Sequence, residues 1–173
     1  MTLKPNQVLY KRLLDIFLSI IGLILSFPVL GLLLIIAAIN TNSSGLLAQK
    51  RIGKKGKPFL LYKLKTMRDD DEASTFITTA TDKRITNFGR FLRKTKLDEL
   101  PQLWNVLIGK MSFVGPRPDV PGYADQLQGE DRIILSVRPG ITGPASLAFR
   151  DEEELLAKQE NPQQYNDEII WPE

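Results

Sequence analysis

The chain predicts a helix-rich α/β (α+β) fold, with one membrane-embedded segment at 1–40 and one small domain at 41–173. Three observations carry this. Ile16 to Ile39 is an apolar run without a charge. Two short apolar-rich stretches bracket a glycine-lysine turn at 53–57, as in a β-hairpin. Two later stretches repeat apolar residues at helical spacing.

The apolar run, about 24 residues at ~1.5 Å rise, is long enough to cross a hydrocarbon core of about 30 Å. Both its flanks are basic: Lys4, Lys11 and Arg12 before it, Lys50, Arg51, Lys54, Lys55 and Lys57 after it. Basic flanks favour the cytoplasmic side, so a segment with two of them enters and leaves by one face. Pro28 lacks an N–H and kinks a helix, and Ser26 sits where a hydroxyl can serve the broken ladder. The expectation is a re-entrant helix-break-helix with arms of about 18 Å. A single kinked crossing is the alternative. A cleaved signal peptide is not expected, because the core is too long and lacks a small-residue cleavage site.

Downstream, Leu46 to Ile52 and Pro58 to Met67 form the hairpin, with Lys63 and Lys65 expected on one strand face. Arg68 to Ala80 reads as a surface loop. Ile85, Phe88, Phe91 and Leu92 place a helix within 82–94. Leu100, Leu103, Trp104, Leu107 and Ile108 place another from near Asp98, with Pro101 in its first turn and Gly109 ending it. Pro116-Arg117-Pro118 and Arg138-Pro139-Gly140 mark stiff loops, and Asp151 to Lys158 an acidic-start helix.

Absent residues narrow the chemistry. Without cysteine there is no disulfide, thiolate nucleophile or zinc–thiolate site, and without histidine the usual neutral-pH base is missing. Carboxylates, lysine, arginine, hydroxyls or an oxygen-held cation such as Mg²⁺ remain. Residues 1–120 carry a net +10 and residues 121–173 a net −7. The basic part adjoins the apolar run, so anionic membrane lipid and phosphorylated ligands are its expected partners. No recognition helix or aromatic platform accompanies the charge, so nucleic acid is not expected.

Asp98-Glu99 is the candidate catalytic pair. Both are ordinary residues for a helix start, and capping is the competing reading. Arg93, Lys94 and Lys96 upstream are expected to lower the Asp98 pKa and keep it ionised. An ionised aspartate beside Mg²⁺ can attack phosphorus, with Asp98 as metal ligand and Glu99 orienting the metal or acting as base. Arg117, held between prolines, is a phosphate clamp or half of an ion pair, and Arg138 receives the same argument. Lys63 and Lys65 either add charge near phosphate or are simply solvated.

Five ordered motifs then acquire a common meaning. They are Lys11-Arg12-Leu13-Leu14-Asp15, Tyr62-Lys63-Leu64-Lys65-Thr66-Met67, the stretch Lys96 to Val106, Met111 to Pro118, and Arg138-Pro139-Gly140-Ile141-Thr142-Gly143. Together they closely resemble the bacterial sugar transferase family of small monotopic polyprenyl-phosphate phosphoglycosyl transferases. The resemblance implies a re-entrant membrane helix and a cytosolic catalytic domain at the bacterial inner membrane. It implies Mg²⁺-dependent transfer of a sugar phosphate from a UDP-sugar to undecaprenyl phosphate, with UMP released and Asp98 as nucleophile. Glu99 becomes its partner, and Arg93 and Arg117 become phosphate contacts. Two features depart from the family: Phe27 separates Ser26 from Pro28, and the sequence stops at Trp171-Pro172-Glu173 where relatives continue. The sugar is expected to be read by loops near Ala145 to Glu154 and Arg68 to Ala80. Two rival readings are a non-catalytic membrane adaptor and a glycosyl transferase that releases UDP.

Overall fold

The computed structural model describes residues 4–69, 79, 82–149 and 152–170, apart from the side chain at 153. Most of the predicted loop 68–80 therefore lies outside the described residues. Helix α1 spans Pro5–Thr41. It starts on Pro5, whose missing N–H falls among the unbonded groups of a first turn, and the Lys4 N–H donates to Gln7 Oε1 at 3.0 Å. It ends where Asn42 turns left-handed at φ 57°.

The break expected at Pro28 is not present: α1 runs through it as one helix. Pro28 removes only the bond to the Ile24 carbonyl. Ser26 Oγ donates one turn back to the Gly22 carbonyl at 2.6 Å, so its hydroxyl is satisfied locally despite the intervening Phe27. Ile24, Leu25 and Phe27 are largely exposed, as is most of the apolar surface of α1. A soluble protein rarely leaves such a patch in water, and α1 is long and apolar enough to cross a membrane. It is a membrane-associating helix rather than a core helix.

Strands β1 (Leu46–Ile52) and β2 (Pro58–Leu64) pair antiparallel with Leu46 opposite Leu64 and Ile52 opposite Pro58. This register puts Gln49, Arg51, Phe59, Leu61 and Lys63 on one face. That face is covered: Phe59 and Leu61 join Val106 and Met111 in a buried cluster. The alternative that Lys63 is simply solvated is therefore corrected. Lys63 points to the covered side, while Lys65 lies beyond β2 and donates to Ser43 Oγ at 2.6 Å and to Asp69.

Helix α2 (Asn87–Thr95) is capped by Thr86, whose hydroxyl accepts from the Gly89 N–H at 2.9 Å. Gly89 lies against backbone: a Cβ there would sit 2.1 Å from the Thr66 carbonyl oxygen. Leu92 joins Leu33 of α1 and Leu64 of β2 in a second cluster. Lys96 adopts φ 57° and reverses the chain into a 3-10 turn at Leu97–Glu99. Helix α3 follows at Gln102–Leu107. The fully buried Asn105 completes the edge of β2: its Nδ2 donates to the Leu60 carbonyl at 2.7 Å, and its Oδ1 accepts from the Tyr62 N–H at 3.0 Å.

Strands β3 (Ser112–Val114) and β4 (Gly140–Thr142) pair in parallel. Short helices α4 (Pro144–Ala148), α5 (Glu152–Ala157) and α6 (Pro162–Tyr165) follow. The N-terminal part of α1 is clamped to this domain. Arg12 donates to the Val106 and Leu107 carbonyls at the end of α3, at 2.6 and 2.8 Å. Asp15 accepts from Lys11 Nζ at 2.5 Å, from Ser112 Oγ at 2.8 Å and from the Phe113 N–H at 3.3 Å.

Candidate functional site

Asp98 sits in the 3-10 turn between α2 and α3 and is only 7% exposed. It caps no helix. Pro101 occupies the α3 N-cap position, because the 3-10 turn and Leu100 intervene. One carboxylate oxygen, Oδ1, is buried and has no hydrogen-bond partner. Buried polar atoms are normally paired, so this oxygen is suited to a ligand.

Burial pushes the Asp98 carboxyl above its ordinary pKa, while Lys63, Arg93 and Lys96 pull it down. The expectation that these cations leave it low is corrected: desolvation outweighs them. Glu99 is also pushed up, first by burial and then by the Asp98 charge. Lys63 reaches this pair from β2, and burial, followed by the Arg93 charge, lowers its pKa. Arg93 is fixed by β2's extension, with Nε donating to Thr66 Oγ1 at 2.9 Å and an Nη against Met67 Sδ at 3.0 Å. The structure thus gathers Asp98, Glu99, Lys63 and Arg93.

A second cationic cluster adjoins it. Arg117, in the stiff turn after β3, forms an ion pair with Glu152 of α5. Arg51 of β1 donates to Gln49 Oε1 at 2.8 Å and, at the long distance of 3.4 Å, to the Pro118 carbonyl. Its Nε is buried and unpartnered. Burial and the Arg117 charge lower the Arg51 pKa to about 10. A small cleft lined by Ile52, Gly53, Pro116, Arg117 and Asp119 opens beside it.

Two predicted candidates lie elsewhere. Arg138 donates through Nε to the Gly109 carbonyl at 2.8 Å, beside Arg12 rather than beside the carboxylates. Lys65 faces Ser43 and Asp69. Sequence reasoning overlooked Arg51, Glu152 and Asn105. Strand parity held a signal for the first, since a hairpin closed at 53–57 sets Arg51 and Lys63 on one face. Glu152 comes from a distant helix with no comparable signal.

The fold and site define a membrane-associated enzyme-like domain, with a buried carboxylate facing cations suited to phosphate. The family described as bacterial sugar transferase matches residues 6–170, and the chain belongs to that family. It is 43% identical over 121 residues to a Bacillus subtilis (strain 168) protein provisionally named an undecaprenyl-phosphate N-acetylgalactosaminyl 1-phosphate transferase, covering 69% of this chain and 68% of the relative. It is 41% identical over 170 residues to the UDP-glucose:undecaprenyl-phosphate glucose-1-phosphate transferase of Klebsiella pneumoniae, covering 92% of this chain. It is 37% identical over 149 residues to the exopolysaccharide production protein PSS of Rhizobium leguminosarum bv. phaseoli, covering 82% of this chain and 74% of the relative. The chain spans only 36% of the Klebsiella protein's length.

Proposed function

We propose that this chain transfers a sugar 1-phosphate from a UDP-sugar to undecaprenyl phosphate and releases UMP. One observation carries the reading. In a member of this family, a buried aspartate oxygen without a partner faces Lys63, Arg93 and Lys96.

In the first step an Asp98 oxygen attacks the phosphorus that bears the sugar. A new P–O bond forms, the bond from that phosphorus to the bridging oxygen breaks, and the electron pair leaves on UMP. In the second step a phosphate oxygen of undecaprenyl phosphate attacks the same phosphorus, and Asp98 leaves as carboxylate. Lys63 and Arg93 hold the phosphoryl oxygens, while Arg117 exchanges Glu152 for substrate phosphate. The donor set suits a hard cation. Mg²⁺ binds through one or two carboxylates plus substrate phosphates, and Asp98, with Glu99 beside it, would supply those carboxylates. The ion, when bound, neutralises phosphate charge.

We place the domain on the cytoplasmic side of the bacterial inner membrane, with α1 entering and leaving by that face. Support comes from contacts at both ends of α1 with one charged domain: Lys11, Arg12 and Asp15 dock on α3 and β3, while Leu33 packs with Leu64 and Leu92. The exposed apolar middle, Ile24 to Phe27, lies between these docked parts.

The test uses the full chain in membranes with Mg²⁺, UDP-glucose or UDP-N-acetylgalactosamine, and undecaprenyl phosphate. UMP release is expected, with its loss in Asp98→Asn and a sugar-phosphate adduct on Asp98 when acceptor is omitted. Release of UDP, or normal turnover by Asp98→Asn, overturns the reading in favour of sugar-only transfer or an adaptor.

A further inference from the structure

We propose that Arg51 and Arg117 together hold the departing nucleotide's phosphate, forming a leaving-group subsite distinct from the Asp98 pocket. The inference rests on the function proposed above and goes beyond it by assigning Arg51.

Arg51 reaches the Pro118 carbonyl, next in the chain to Arg117, at 3.4 Å, which brings the two arginines into one neighbourhood. Arg117 is the largest charged neighbour depressing Arg51, and Glu152 and Asp119 oppose it. Like charges packed together imply a site for an anion. Arg51 also has spare donors. A guanidinium carries five N–H groups; here one bond runs to Gln49, one long bond to the Pro118 carbonyl, and Nε has no partner. The only buried side-chain nitrogen or oxygen atoms without a hydrogen-bond partner among the described residues are this Nε and Asp98 Oδ1. One is a donor and the other an acceptor, and Lys63 senses the charge of both residues. A diphosphate laid across Lys63 would engage both ends.

Chemistry sets its direction. The phosphate attacked by Asp98 keeps the sugar, so the phosphate at the arginine end belongs to UMP. When the P–O bond breaks, the electron pair settles on that phosphate, and two guanidiniums are better placed than one to stabilise it.

The test compares wild type with Arg51→Met and Arg51→Lys in the full chain, using UMP as probe. The UMP inhibition constant is expected to rise about tenfold in Arg51→Met, and less in Arg51→Lys, which keeps charge but loses the fork. Protein loaded with labelled UDP-glucose, or with whichever of the two UDP-sugars wild type uses, is then freed of nucleotide and given undecaprenyl phosphate. That half-reaction brings the acceptor phosphate in line opposite Asp98, where the UMP phosphate stood, so it should slow in Arg51→Met as well and recover in part in Arg51→Lys. An unchanged UMP constant overturns the proposal, as does a melting temperature of Arg51→Met more than about 4 °C below wild type, which marks a structural role. Failure of wild type to release UMP overturns the parent reading instead.

Discussion

Asp98 shows why a buried carboxylate carries a stability penalty. Its folded pKa is raised, with burial as the leading cause. Between the ordinary carboxylate pKa and this raised value, the folded state binds more protons than the unfolded state. Stability contributed by the group is therefore present at low pH and falls as pH rises through that window. Neutralising the side chain removes the penalty. Asp98→Asn should unfold at a higher temperature than wild type at pH 7, by about 2–4 °C for a gain on the order of 1 kcal/mol. The difference should vanish below about pH 3, where the wild-type carboxyl is protonated in both states. Melting curves without divalent cation at the two pH values check this, and a less stable variant at pH 7 would refute it. Asp98 and Glu99 stand out in the sequence as candidates, because no histidine or cysteine competes with them. It misdirected the pKa, because neighbouring cations are visible in a sequence and burial is not.

At the scale of elements, the hairpin and the two helices after it were legible from apolar spacing and glycine positions. Their mutual coverage was not, because faces are assigned by what packs on them. Leu60 is half exposed while Leu61 is buried, so the lysine following Leu61 in parity faces inward. Asn105 is the part of this arrangement that periodicity hides. It stands among apolar positions of α3, yet serves as a substitute strand for β2. Asn105→Ala leaves the Leu60 carbonyl and the Tyr62 N–H without partners, and should destabilise the domain by about 2–4 kcal/mol. Denaturant unfolding of the full chain in detergent would read this directly. A change below about 0.5 kcal/mol would place the edge pairing elsewhere. Gly89→Ala is expected to be equally damaging, because its new methyl meets the Thr66 carbonyl. Thr66 orients Arg93, so activity should fall with stability.

For the whole molecule, the sequence indicated a membrane segment, and the helical assignment runs through its proline. A proline suggested two arms, and α1 keeps its helical turns through Pro28 across Pro5–Thr41. Same-side entry requires a bend, and a helix can carry one at proline without losing its turns. A straight helix crossing the bilayer carries its two ends to opposite surfaces, yet both parts of α1 flanking Ile24 to Phe27 touch one domain rich in charge. Burying that domain in hydrocarbon would desolvate its cations at great cost. A helix seated shallowly, with its middle in one leaflet and its ends at the headgroups, avoids that cost. The natural absence of cysteine makes the test clean. Single cysteines at Asn6 and Lys55, both exposed, lie before and after the apolar run. In sealed vesicles of known orientation, a membrane-impermeant maleimide should label both positions from the cytoplasmic side and neither from the other. Labelling of the two positions from opposite sides would establish a crossing. A crossing could not keep both the Arg12 clamp to α3 and the packing of Leu33 on Leu64 and Leu92.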